Sequence, residues 1–215
     1  STFFSGFARL GHTNFAFNVL KPKTNTLGYE LFLVDIPGLF DRDNVYSYHD
    51  DSERFITFQI AALNWLRERE KTPDVVHCHD QHTGFIPFMM SKVREYQRFE
   101  NVPTVFTIHN GQYQGQFGFD RLYYLPPFHS YFNGLVEWHN LINPLASAIK
   151  CAWRVTTVSP SYLDEISYSM NGMEELLRTE RGKSLGILNG IDADVWNPET
   201  DPMLEKNFDV KTQQN

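Results

Sequence analysis

Cysteine is nearly absent. Cys78 and Cys151 are the only two in 215 residues. They stand far apart in apolar surroundings, which points to reduced buried thiols rather than a disulfide framework. No apolar run approaches the roughly 18 residues that a membrane-spanning helix needs. The opening STFFSGFARLGHTNF has no basic stretch followed by a continuous apolar one, so it does not read as a secretion signal. Positive charge is short as well: 19 Lys and Arg against 26 Asp and Glu leave a net charge of −7. That balance argues against a general nucleic-acid or anionic-membrane surface. Three phosphate- and nucleophile-bearing patterns are missing too: Gly-x-Gly-x-x-Gly after a strand, Gly-x-x-x-x-Gly-Lys-Ser/Thr, and Gly-x-Ser-x-Gly. Dehydrogenase, P-loop and serine-hydrolase readings lose their main supports. The expectation is a cytoplasmic chain, and, since it lacks an initiator Met, one excised from something longer.

What is present is a large apolar supply. Hydrophobic residues make up 41% and aromatics 15%, with 18 Phe among them, enough for a sizeable core in one large domain. Short runs rich in Val, Ile, Phe and Thr recur at 30–35 (ELFLVD), 74–79 (DVVHCH), 103–109 (PTVFTIH), 154–159 (RVTTVS) and 185–189 (LGILN). Several are apolar nearly throughout, as strands buried on both faces should be. Helical patterns lie between them at 52–70, 83–99, 144–153 and 161–169. In the first of these, Phe55, Phe58, Ala62, Trp65 and Leu66 form one stripe. The alternation predicts an α/β fold with a doubly wound, mostly parallel, Rossmann-like sheet. Residues 111–141, dense in Gly, aromatics and amides, break that rhythm and read as either a binding loop or a locally packed excursion.

Each predicted parallel strand ends in a polar knot: His79-Asp80-Gln81-His82, His109-Asn110-Gly111, Ser159-Pro160-Ser161 and Asn189-Gly190-Ile191-Asp192. In an open α/β sheet, the crevice outside the carboxyl ends of the strands is where ligands bind. Asp80 opens the turn before a helix, so it is both an N-cap candidate and an acceptor for hydroxyl-rich ligands. His109 and Asn110 offer an imidazole and an amide, which both donate and accept, as sugar hydroxyls require. The Asn-Gly pair also reads as a plain turn that tolerates positive φ. His77, His79, Asp80 and His82 invite a metal hypothesis. The spacing opposes it, because Asp80 and His82 fall past the strand end. His77 reads instead as a buried, hydrogen-bonded strand residue that shares a face with His79.

Read together, LFLVDIPGLFDR (31–42), YHDDSERF (48–55), PDVVHCHDQHTGFIP (73–87), PTVFTIHNGQYQGQF (103–117), VTTVSPSYLDEI (155–166) and GILNGIDADVWNPETDP (186–202) resemble bacterial glycogen synthase and plant starch synthase. The resemblance implies two Rossmann-like domains with the active site between them. Residues 1–205 correspond to the first domain without its opening strand and Lys-x-Gly-Gly-Leu-Gly loop, and 206–215 to the start of the linker to an absent second domain. The implied activity is retaining transfer of glucose from ADP-glucose or UDP-glucose to an α-1,4-glucan, with no cofactor and no metal. By motif match His109 and Asp80 are the catalytic candidates, His109 beside the donor glucose and Asp80 near the reacting centre. Asn189 and Asn110 are sugar ligands, while Tyr46, Tyr113 and Gln114 line the glucan groove. Gln81 stands where the family often has Trp. A non-catalytic glucan-binding module and a metal-dependent hydrolase on the 77–82 cluster are the alternatives.

Overall fold

The computed structural model describes residues 1–212, so the last three positions of the expected linker at 206–215 lie outside the described residues. The chain opens on an antiparallel hairpin, β1 (Thr2–Leu10) and β2 (Thr13–Leu20), turned by Gly11-His12 with Gly11 at φ +57. Glycine at the first of two turn residues suits the twist of a tight hairpin. Its alternation of Phe with small and polar residues buries Ala8, Phe17 and Val19 and leaves Phe7 in solvent.

The 30–35 run behaves differently from expectation. Only β3 (Leu33–Asp35) is a strand, and it pairs antiparallel with β2. It is therefore outside the parallel sheet, because the hairpin offers it an edge.

That sheet has four parallel strands in the order β4 (Val76–His79), β5 (Thr104–Ile108), β8 (Arg154–Thr157) and β9 (Ser184–Gly186). Registered neighbours such as Cys78 and Phe106, and Phe106 and Val155, share the buried face. On the other face, His77, His79, Arg154 and Leu185 are exposed. His77 is thus hydrogen-bonded, as expected, but not buried. Among the described residues one face of this sheet remains open.

Helix α1 (Asp51–Arg67) matches its sequence pattern in length but not in its buried stripe. Phe55, Ile56, Ile60, Ala61 and Leu63 are buried, along with Arg54, Thr57, Gln59 and Asn64. The helix lies against β1 while the 3₁₀ turn after β4 packs on it too, so a single apolar stripe does not describe it. Its buried polar groups are satisfied. Gln59 accepts from the Phe85 amide at 2.7 Å, and Asn64 accepts from the Tyr96 hydroxyl at 3.0 Å.

The expected helix over 83–99 is broken into 3₁₀ turns around α2 (Ile86–Lys92). Val93 is extended there (φ −97, ψ 120). The 111–141 stretch coils through two 3₁₀ turns into a short hairpin, β6 (Glu137–Trp138) and β7 (Leu141–Ile142). It buries Phe117, Leu125, Val136 and Ile142 in the main core. Helices α3 (Pro144–Cys151), α4 (Pro160–Ile166) and α5 (Glu174–Thr179) complete the chain of elements. Both cysteines are free, and burial pushes the Cys78 thiol up to about 12 and that of Cys151 to about 11. No helix among the described residues is long and apolar enough to cross a membrane.

Candidate functional site

Asp80 leaves β4 with φ +56 and ψ 177, a conformation nearly confined to glycine and costing about 1–3 kcal/mol elsewhere. Neighbours hold it there. Its amide donates to Thr107 O at 3.0 Å, and its carbonyl accepts from the Thr83 amide at 3.1 Å. The carboxylate Oδ1 accepts the backbone N–H of His109 at 2.8 Å. The expected helix cap is absent, because the carboxylate turns sideways to the neighbouring strand end.

Beyond β5, Asn110 accepts from the Gln112 amide at 2.9 Å, and the Gly111 amide donates to the Tyr162 hydroxyl at 3.0 Å. Neither Asn110 nor Gly111 has positive φ; Gly115 does, at +70. The buried Gln114 amide is engaged on every side. It donates to Met170 O and Asn171 O, both at 3.1 Å, and accepts from Asn143 at 2.8 Å. Asn143 in turn caps α3 through the Ala146 amide. Gln114 therefore ties three segments together as part of the wall.

The third contributor is the loop between β3 and α1. Arg42 forks onto Asp50 with two contacts of 2.7 Å and also donates to Gly38 O. That pairing holds the Asp50 carboxyl below the usual carboxylate range. Arg54, 1% exposed, donates to Leu39 O, Val45 O and Asp51. The loop so held presents Tyr46, 60% exposed.

These segments enclose a pocket of about 680 Å³ at the carboxyl end of the parallel sheet, lined by Tyr46, Asp80, Asn110, Tyr113 and Gln114 together with Gln81, His82, Gln112, Gln116, Asp51 and Asn171. Two exposed tyrosines facing a ring of amides and carboxylates suit a ligand of flat apolar faces and many hydroxyls. Burial lowers the pKa of His82, whose ring meets Phe55 edge-on at 4.3 Å. The residue-by-residue reading did not single out Gln112, Gln116, Asp51 or Asn171. The amide-rich GQYQGQ run was the available signal for the first two, whereas Asn171 arrives by a fold-back that no local pattern shows.

Two predicted residues lie elsewhere. Asn189 is exposed, past the end of β9, and does not line the pocket. The His109 imidazole points along the open sheet face, with Nε2 2.9 Å from His79 Nδ1. Among the described residues no group of three His, Cys, Asp or Glu side chains has metal-holding geometry. A larger pocket of about 830 Å³ lies between β1, the far half of α1 and the 119–133 turns, with Phe7, His12, Tyr123 and Phe128 in its walls. It includes none of the strand-end residues.

The parallel sheet with a hydroxyl-matched pocket at its carboxyl edge places the chain among Rossmann-like α/β domains built to hold a polar ligand at the strand ends. The same architecture occurs in the catalytic domain of starch synthase IV from Arabidopsis thaliana, solved bound to ADP and acarbose. The TM-score is 0.80 at 29% identity, over 98% of this chain and 44% of that one. Residues 5–179 match the starch synthase catalytic domain family, and the chain belongs to that family. It is 55% identical over 206 residues to a glycogen synthase of Flavobacterium johnsoniae, covering 96% of this chain and 44% of that protein. A glycogen synthase of Streptococcus sanguinis is 43% identical over 187 residues, with 85% and 39% covered. The chain thus spans less than half the length of these relatives.

Proposed function

We propose that the chain is the amino-terminal half of a cytoplasmic glycogen or starch synthase, with 1–205 as the first Rossmann-like domain and a second domain closing the site. The reaction is retaining transfer of glucose from ADP-glucose or UDP-glucose to the non-reducing end of an α-1,4-glucan. The bond from the anomeric carbon to the nucleoside diphosphate breaks, and a new one forms to the acceptor hydroxyl. An oxocarbenium-like transition state asks mainly for placed dipoles and charges. In this reading His109 and Asn189 attend the donor sugar, Asn110 is a further sugar ligand, Asp80 stands near the reacting centre, and Tyr46, Tyr113 and Gln114 form the acceptor groove. The observation that carries it is the convergence of Tyr46, Asp80, Asn110 and Tyr113 on one polar pocket.

A non-catalytic glucan-binding module is the second reading, favoured by one feature: the pocket is complete without His109 and Asn189. Calorimetric titration of this chain with maltoheptaose, repeated on Asp80→Ala, tests what the two readings share. Saturable binding weakened by the substitution is the expected result, and no binding would count against both. A polypeptide carrying this chain and active with ADP-glucose or UDP-glucose then separates them. There His109→Ala is expected to lower turnover by about a hundredfold, the scale of one lost transition-state donor. Unchanged turnover would refute the catalytic role.

A further inference from the structure

We infer that His79 is a positioning residue for His109, setting which ring nitrogen of His109 carries the proton and holding that ring at the end of β5. The functional half rests on the proposed place of His109 beside the donor sugar; the structural half stands without it. His79 Nδ1 and His109 Nε2 are 2.9 Å apart, with ring centroids at 5.2 Å and planes inclined by 30°. A nitrogen-to-nitrogen hydrogen bond needs one donor and one acceptor, so a single proton lies between the two rings. In a neutral imidazole the two nitrogens have opposite roles. Whichever role Nε2 of His109 takes toward His79, its Nδ1 takes the opposite one, so the tautomer of His109 is tied to that of His79. Nδ1 of His109 is the nitrogen left to meet a ligand.

His79 is itself braced. Its carbonyl accepts the Thr83 hydroxyl at 2.8 Å. Behind its ring stands His77, centroid to centroid 4.2 Å. His77 Nε2 is bonded to Thr107 Oγ1, which is bonded to Thr156 Oγ1, both at 2.6 Å. Hydrogen bonds therefore run from Thr156 through Thr107 to His77 across three strands, and the His77 ring meets that of His79 by packing. Burial and the neighbouring imidazoles His77 and His109 lower the pKa of His79, against the opposing pull of Asp80. That shift favours the neutral form of the ring. His77 and His79 lie on an exposed face, where water could satisfy each imidazole separately. Stability alone does not demand that the rings pair.

The test is ring-nitrogen NMR of His109 in this chain, in the wild type, His79→Leu and His79→Asn. Leucine removes the partner, while asparagine returns an amide to the Nδ1 edge. One dominant His109 tautomer is expected in the wild type, with its excess reduced about fivefold in His79→Leu, the scale of one net hydrogen bond. His79→Asn should restore a single tautomer. Equal tautomer ratios in the wild type and His79→Leu would overturn the inference. The measurement needs no sugar and no turnover. Failure of the transferase reading would leave the tautomer shift standing, and a missing shift would sink the inference whatever the activity. In an active polypeptide carrying this chain, His79→Leu is expected to lower kcat about fivefold with KM unchanged, and His79→Asn to recover it. Equal kcat losses in both variants would mark a purely structural role.

Discussion

Replacing Arg54 with methionine should be among the most damaging single changes in the molecule, although it swaps one long side chain for another. Arg54 is 1% exposed, and its guanidinium donates at 2.7 Å to Leu39 O, at 3.0 Å to Val45 O and at 2.6 Å to Asp51. It also lies over the rings of Tyr48, Phe40 and Phe55 at 4.8, 5.4 and 5.3 Å. Methionine fills much of the volume, so little of the loss comes from a cavity. It supplies no donor, so two loop carbonyls lose their partner. Asp51 keeps only the Ser47 and Tyr48 amides, at 2.7 and 3.2 Å.

Leaving the two loop carbonyls unpaired costs about 1–3 kcal/mol each, and the aromatic contacts of a desolvated cation add to the same loss, whereas Asp51, partly exposed, can turn to water. With a urea m-value of about 2–3 kcal/mol/M for a chain of this size, the midpoint should fall by more than about 1 M. The assay is urea unfolding followed by fluorescence and circular dichroism, with coincident transitions required. Arg54→Lys keeps the charge but not the planar fork, so it should recover less than half of the loss. A shift below about 0.3 M for Arg54→Met would refute the reasoning. It would mean that water replaces the guanidinium and that the Tyr46 loop is held by Arg42 and Asp50 alone.

A methyl group on Gly115 would stand 1.9 Å from Gln81 Oε1 at φ +70. Gly115→Ala should therefore cost about 1 kcal/mol for the left-handed backbone and expel Gln81 from the pocket wall. Maltoheptaose titration should register the change, and adding Gln81→Ala should relieve the clash but not the backbone cost. Asp80→Gly should be more stable than Asp80→Ala by about 1–3 kcal/mol, because both lose the bond to His109 while only glycine sheds the strain; equal urea midpoints would show that no strain is stored there. Burial lowers the pKa of His77, His79 and His82, so the unfolded chain binds more protons as pH falls through about 6.5. Thermal midpoints should hold above that pH and decline below it towards the lowered folded values. A midpoint that rises on acidification from pH 7 to 5.5 would contradict the shifts.

The strand ends were legible because the parallel strands carry short β-branched and aromatic runs closed by polar residues. The runs at 103–109 and 154–159 fall on β5 and β8 almost residue for residue. The 30–35 run looked the same yet joined β2, because pairing partners are chosen by tertiary contact and composition does not show them. The hairpin at Thr2–Leu20 left a signal in its alternating phenylalanines around Gly11-His12, but strands that leave some of their phenylalanines exposed alternate only weakly in burial. Helix α1 misled for another reason. A helix wrapped by several elements loses its single stripe, and its buried Arg54, Gln59 and Asn64 look solvent-facing until their partners are known. Asn171 in the pocket, the engaged amide of Gln114 and the orientation of His109 are consequences of contacts more than fifty residues distant or across strands. No window of sequence holds them.

The positive φ of Asp80 follows from this division between local and distant information. An aspartate there gains nothing locally, since it caps no helix and leaves the favoured backbone regions. What sustains the conformation is the sheet itself. Cys78 and Phe106 are locked in register within the core, which fixes Thr107 O opposite the Asp80 amide and the His109 amide within 2.8 Å of its carboxylate. Two buried side chains therefore aim a half-buried carboxylate. Burying one phenylalanine contributes about 1.5–3 kcal/mol, enough to offset strain of about 1–3 kcal/mol, and the same core buries several more aromatic and aliphatic side chains. The direction of the Asp80 and His109 side chains is accordingly a property of the core, and substitutions at Cys78 or Phe106 should disturb the pocket before they unfold the chain.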